Sequence, residues 1–184
     1  MKIVNYPSVN FNERPTGCAV DCVVLHYTDV ASIKETLDIL TDPKREVSSH
    51  YVIDEDGTIY RLVEDEKRAW HAGPSNWLGR DNVNHFSIGI ELQNGGYHAG
   101  YALTGVWPAF ANAQIDALKQ LLRQLIKKFG IEPNRIIGHE DIAPGRKIDP
   151  GPAFPWDKLQ ELGVDRKVIL DAQEFLRSDA VCKF

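Results

Sequence analysis

The chain has 184 residues, 43% of them hydrophobic and 26% charged, a soluble globular balance that excludes disordered, collagen-like and coiled-coil architectures. Lys and Arg total 21 against 26 Asp and Glu, a net charge of -5. This is the wrong sign for affinity built on neutralising phosphates, so no nucleic-acid partner is expected. No segment approaches about 18 uninterrupted apolar residues, so no membrane span is expected either.

The length suits one domain spanning residues 1–184. Met1 to Pro7 contains no apolar run of signal-peptide length, which leads to a cytoplasmic expectation, with an exported protein whose leader has been removed as the alternative. Three cysteines, Cys18, Cys22 and Cys182, match no zinc-ribbon or disulfide spacing. They are read as reduced thiols serving as small core hydrophobes.

In chain order, Cys22 to His26 is a short β-branched apolar run that predicts a buried strand with His26 at its carboxyl end. Ser32 to Leu40 predicts a helix capped by Ser32, with Ile33, Leu37 and Leu40 at helical spacing. Ser49 to Ile53 and Thr58 to Val63 predict strands joined at Asp56-Gly57, a hairpin signal. Trp70 to Asn84 is aromatic, polar and aperiodic, which predicts a surface loop of the kind that carries function.

Phe86 to Leu92 alternates, with Phe86, Ile88, Ile90 and Leu92 on one face and Glu91 on the other. Asn112 to Phe129 predicts the clearest helix, stopped by Gly130. Arg135 to His139 predicts another strand, closed by His139 and followed by a Pro- and Gly-punctuated loop to Pro152. Trp156 to Leu162 and Asp165 to Leu176 predict outer helices. The sum is an α/β fold, a central mixed β-sheet flanked by helices.

His26, His139 and Asp149, ten residues beyond His139, form a suitable three-ligand zinc set that leaves a fourth tetrahedral position for water. From spacing alone the signal is weak, and a hydrogen-bonded core residue is the commoner reading of a lone histidine at a strand end. No His-Glu-x-x-His helix is present to decide it.

Five blocks occur in register: Leu25-His26-Tyr27-Thr28; Ser49 to Ile53 with Asp56 to Tyr60; Ala69-Trp70-His71-Ala72-Gly73; Ser87 to Leu92; and Gly138 to Gly151. Together they resemble the zinc-dependent N-acetylmuramoyl-L-alanine amidases of the AmpD type, which are similar in fold to peptidoglycan recognition proteins and phage lysozyme-type amidases. The resemblance runs over about residues 20–156 and leaves 157–184 as a helical elaboration. It implies that His26, His139 and Asp149 hold Zn2+, that Glu91 is the acidic catalytic residue and that Lys147 stabilises developing negative charge. Ser49 stands where phage and animal relatives often carry an assisting tyrosine, which leaves that duty to Glu91.

Trp70, His71 and Arg80 are the candidate substrate-binding residues, Trp70 by stacking on a sugar and Arg80 by pairing with a peptide carboxylate. His50 is assigned a structural role, and His85 and His98 are read as surface residues without partners. The implied activity is cleavage of the amide between N-acetylmuramic acid and L-alanine in peptidoglycan or anhydro-muropeptides, by a monomer. The alternative is a non-catalytic muropeptide-binding module.

Overall fold

The computed structural model describes residues 2–171 and Glu174. In chain order it forms β1 (Ile3–Asn5), β2 (Phe11–Glu13), β3 (Cys22–Tyr27), α1 (Ile33–Thr41), β4 (Tyr51–Ile53), β5 (Ile59–Arg61), β6 (Lys67–Ala69), β7 (Asn76–Trp77) and β8 (Arg80–Asp81). There follow β9 (Ser87–Leu92), α2 (Ala102–Thr104), α3 (Asn112–Phe129), β10 (Ile136–Gly138) and α4 (His139–Ile142). Six strands make one sheet in the order β1-β5-β4-β9-β3-β10. β4, β9, β3 and β10 run parallel, whereas β5 and β1 run the other way because the chain turns back between Asp54 and Thr58.

Every residue of β3 is buried, which explains its continuous apolar composition: a parallel strand covered on both faces has no side to give to solvent. Registration of Leu25 with Ile90 and of His26 with Glu91 sorts the two faces. Leu25, Ile88 and Ile90 share one buried cluster with Ile115, Leu118 and Leu122 of α3, each such side chain being worth about 1.5–3 kcal/mol on burial. α3 stops at Gly130, whose left-handed backbone lets its N–H reach the Ile126 carbonyl at 2.8 Å. On the other face, Leu37 and Leu40 of α1 pack with Val52 and Leu62. α1 starts as expected at Ser32, whose hydroxyl accepts from the Glu35 N–H.

Some elements differ from the sequence reading. β1 and β2, in a stretch left without assignment, pair with β5 and β6. The expected loop from Trp70 to Asn84 contains the β7–β8 hairpin, anchored by buried Trp77. His139 opens α4 instead of closing a strand, since Asp141 turns back to accept the Gly138 N–H at 2.8 Å. Trp156–Leu162 is a 3-10 turn, and residues 166–171 are helical. Residues 172, 173 and those after Glu174, with the rest of the expected helix and Cys182, lie outside the described residues. Cys18 and Cys22 are free thiols, and burial pushes the Cys22 thiol far up, leaving it inert.

Candidate active site

The carboxyl ends of parallel strands are where an α/β sheet exposes loops around a crevice. His26 stands one residue from the end of β3, Glu91 is its registered neighbour on β9, and His139 follows directly on β10. The chain then turns at Ala143, whose carbonyl accepts from the Arg146 and Lys147 N–H groups, and brings Asp149 back. The Asp149 carbonyl accepts from the Glu140 N–H at 2.9 Å and closes the loop onto α4.

The three expected ligands converge. Asp149 Oδ2 lies 2.8 Å from His26 Nδ1 and 3.0 Å from His139 Nδ1, and the two nitrogens are 3.0 Å apart. All three residues are buried. Two imidazole nitrogens pressed together beside one carboxylate oxygen is an arrangement a shared cation resolves: ligands at about 2.0–2.2 Å from a tetrahedral ion stand only slightly farther apart than these. The group can therefore hold a metal.

Burial, helped by the neighbouring His139, lowers the His26 pKa to about 4 and keeps the ring neutral, the form a metal requires. Burial alone would raise Asp149, but the adjoining His139 and His26 outweigh it and hold the carboxyl below its ordinary range.

Glu91 is half-buried, and its Oε2 is buried with no hydrogen-bond partner among the described residues. Burial, followed by the nearby negative Asp149, pushes its carboxyl well above the usual range, with Lys147 opposing. An unpartnered buried carboxylate costs stability, and such a cost is commonly met at reactive sites. Lys147 is exposed and lines the same cleft, a space of about 400 Å³ bounded also by Tyr27, His71, Tyr97, Arg146 and Ile148. It is half-open and lined by polar and apolar groups together, with room for a small glycopeptide unit.

The three softer expectations land in different places. His71 is in the cleft wall but buried, with Nδ1 3.1 Å from His26 Nε2 and Nε2 3.1 Å from Ser87 Oγ. Burial keeps it neutral. Trp70 turns away and donates its indole N–H to Asn12 at 3.1 Å. Arg80 is bound to Asp21 at 2.7 Å and lies 3.6 Å over the Phe86 ring. Asp21 and Phe86 precede β3 and β9, so about 16 Å of strand separates Asp21, which holds Arg80, from His26. His50 accepts from the Gly89 N–H at 3.0 Å inside the sheet.

His98 is exposed, as expected, but not alone. It has a partner, Asp29, with its Nδ1 at 2.5 Å from Oδ2, and both residues line the cleft. It belongs to a rim that the sequence reading passed over, the π-helical turn Gly96–Tyr101 and α2. Tyr101 and Trp107 stack at 4.9 Å between centroids and Tyr97 stacks on Tyr101 at 5.9 Å. The aromatic spacing Tyr97, Tyr101, Trp107 after Gly95-Gly96 was the available signal. Asn94 ties the rim's two ends, accepting from the Gly96 N–H and donating to the Pro108 and Ala109 carbonyls.

The chain is similar to known proteins over most of its length. The chain is 40% identical over 152 residues to the N-acetylmuramoyl-L-alanine amidase AmiD of Escherichia coli, covering 79% of this chain and 54% of that one. It thus spans about half of AmiD's length. It is 33% identical over 169 residues to the 1,6-anhydro-N-acetylmuramyl-L-alanine amidase AmpD of Haemophilus influenzae, covering 82% and 86%. The solved complex of E. coli AmiD with the substrate anhydro-N-acetylmuramic acid-L-Ala-D-gamma-Glu-L-Lys superposes with a TM-score of 0.71 at 35% identity, over 84% of this chain and 64% of that chain. The family model for N-acetylmuramoyl-L-alanine amidase matches residues 16–152, a span holding His26, Glu91, His139, Lys147 and Asp149, and the chain belongs to that family.

Proposed function

We propose that the chain is a zinc-dependent amidase that hydrolyses the amide joining the lactyl group of N-acetylmuramic acid to L-alanine, in peptidoglycan or its anhydro-muropeptide fragments. The observation that carries this reading is the convergence of His26, His139 and Asp149 beside Glu91, whose Oε2 no group among the described residues satisfies. The substrate named for the AmiD complex contains that amide.

In this reading His26 Nδ1, His139 Nδ1 and an Asp149 oxygen hold the zinc. When bound, zinc lowers the pKa of a coordinated water from 15.7 to about 7 and polarises a carbonyl oxygen. Glu91 Oε2 takes the proton of the attacking water and delivers it to the alanyl nitrogen as the C–N bond breaks. The products are a lactyl carboxylate and a free amino terminus. Lys147 Nζ, free to swing at the cleft mouth, faces the oxygen on which negative charge develops, a contribution of roughly 3–4 kcal/mol per well-placed donor. The exposed ring of Tyr97 offers a stacking face to the saccharide.

The test is hydrolysis of an anhydro-N-acetylmuramyl tetrapeptide read by mass spectrometry, with chelated and with zinc-reloaded protein. Release of anhydro-muramic acid and intact peptide by the reloaded protein alone is the expected result. Zinc-loaded protein that binds the muropeptide without cutting it would replace this reading with the binding module.

A further inference from the structure

His71 was expected at the substrate, yet both of its ring nitrogens are engaged inside the protein. The Val83 carbonyl can only accept, and Ser87 Oγ lies 2.7 Å from it, so the single hydroxyl proton of Ser87 points there. Ser87 Oγ is left with lone pairs, and His71 Nε2 at 3.1 Å must supply the proton between them. A neutral imidazole carries one N–H, so His71 Nδ1 is bare and accepts from His26 Nε2 at 3.1 Å. His26 has then spent its proton on Nε2, and the nitrogen facing Asp149 and His139 is a free lone pair.

The second histidine is set by the next residue. The Ala72 carbonyl lies 3.0 Å from His139 Nε2, which therefore carries that ring's proton, and His139 Nδ1 is also bare. The two acceptors belong to one dipeptide, clamped because the His71 and Ala72 N–H groups both donate to Asn84 Oδ1, at 3.1 and 2.8 Å. The His71 ring sits directly on β9: a Cβ at position 89 would lie 2.4 Å from its Cγ, so only glycine admits it.

We propose that His71–Ala72, held by Asn84 and Ser87, is a positioning template that fixes both histidine ligands in the tautomer whose Nδ1 lone pairs face the metal. His71 is a positioning residue that touches no substrate. The inference rests on the metal reading above and is separable from the amidase reading, because it concerns proton placement and metal affinity.

The experiment uses 15N-histidine-labelled protein, metal-free and zinc-loaded, with the variants His71→Leu, His71→Gln and Ser87→Ala. Ring nitrogen shifts of the metal-free wild type are expected to report Nε2–H tautomers for His26, His71 and His139. In competition with a chromophoric chelator, His71→Leu is expected to bind zinc about 10- to 100-fold more weakly. His71→Gln, whose amide oxygen can accept from His26 and whose amide N–H can reach Ser87, should recover most of the loss. Should His71→Leu fail to fold, Ser87→Ala leaves the ring in place and is expected to yield mixed His71 tautomers. A wild-type His71 found as Nδ1–H, or His71→Leu with unaltered zinc affinity, would overturn the template. If the wild type binds zinc and shows these tautomers but cuts no muropeptide, the amidase reading fails and the template stands.

Discussion

The two walls of the cleft are built on opposite plans. One is the row of strand ends β3, β9 and β10, where His26, His139 and Asp149 are buried and tied to His71, the Ala72 carbonyl and the Glu140 N–H in turn. The other is the turn from Gly96 to Trp107, which gives Tyr97 and His98 to the cleft and leaves Tyr101, Leu103 and Val106 exposed beside it, its rings stacked on one another. On the proposed reading, chemistry that depends on sub-ångström placement sits on the rigid wall, and surface that meets a variable substrate sits on the loop. The comparison predicts that changes in the first wall strike turnover and metal binding, whereas changes in the second strike affinity alone.

The largest effect is expected at the ligands themselves. Asp149→Ala or His139→Ala should remove zinc and, with it, activity by a factor on the order of 10³ or more, read by metal analysis and muropeptide turnover together. Glu91→Gln comes next, with kcat lowered roughly 10²- to 10⁴-fold while zinc stays bound. Lys147→Met should lower kcat by about 10²-fold with zinc retained. A loss seen only in KM would move Lys147 from the reacting oxygen to ground-state binding. On the other wall, Tyr97→Ala should raise KM by about fivefold with kcat unchanged, the size of one aromatic stacking contact. A fall in kcat there would erase the distinction between the walls.

The smallest effect concerns stability. Because burial raises the Glu91 carboxyl well above its ordinary range, the folded state holds that proton more tightly than the unfolded chain does. Its contribution is therefore present at acid pH and is lost as pH rises through the folded-state pKa. Metal-free Glu91→Gln should be more stable than wild type by about 0.5–2 kcal/mol at pH 8, with the gain shrinking towards pH 4.5, as measured by chemical denaturation. Equal stability at both pH values would show that the carboxylate is solvated.

Much of the rigid wall was legible in the sequence because it is written in strand periodicity. The alternation from Phe86 to Leu92 placed Glu91 opposite the apolar stripe, and the apolar run ending at His26 placed that ring at a sheet edge; both stand there. The boundary at His139 differs because Asp141, two residues on, caps the helix by accepting the Gly138 N–H, and a cap overrides the apolar pattern. Arg80 and Trp70 were read from composition, but their positions follow from partners distant in sequence, Asp21 and Asn12. The rim was missed because its order comes from ring stacking and from Asn94, with no period of 2 or 3.6 to announce it.

The central claim is that His26, His139 and Asp149 form one metal centre through the Nδ1 atoms of both histidines. Zinc-edge anomalous diffraction from zinc-loaded crystals measures this directly. The expected result is a single peak about 2.0–2.2 Å from His26 Nδ1, His139 Nδ1 and an Asp149 oxygen. A peak elsewhere, or ligation through either Nε2, would contradict it.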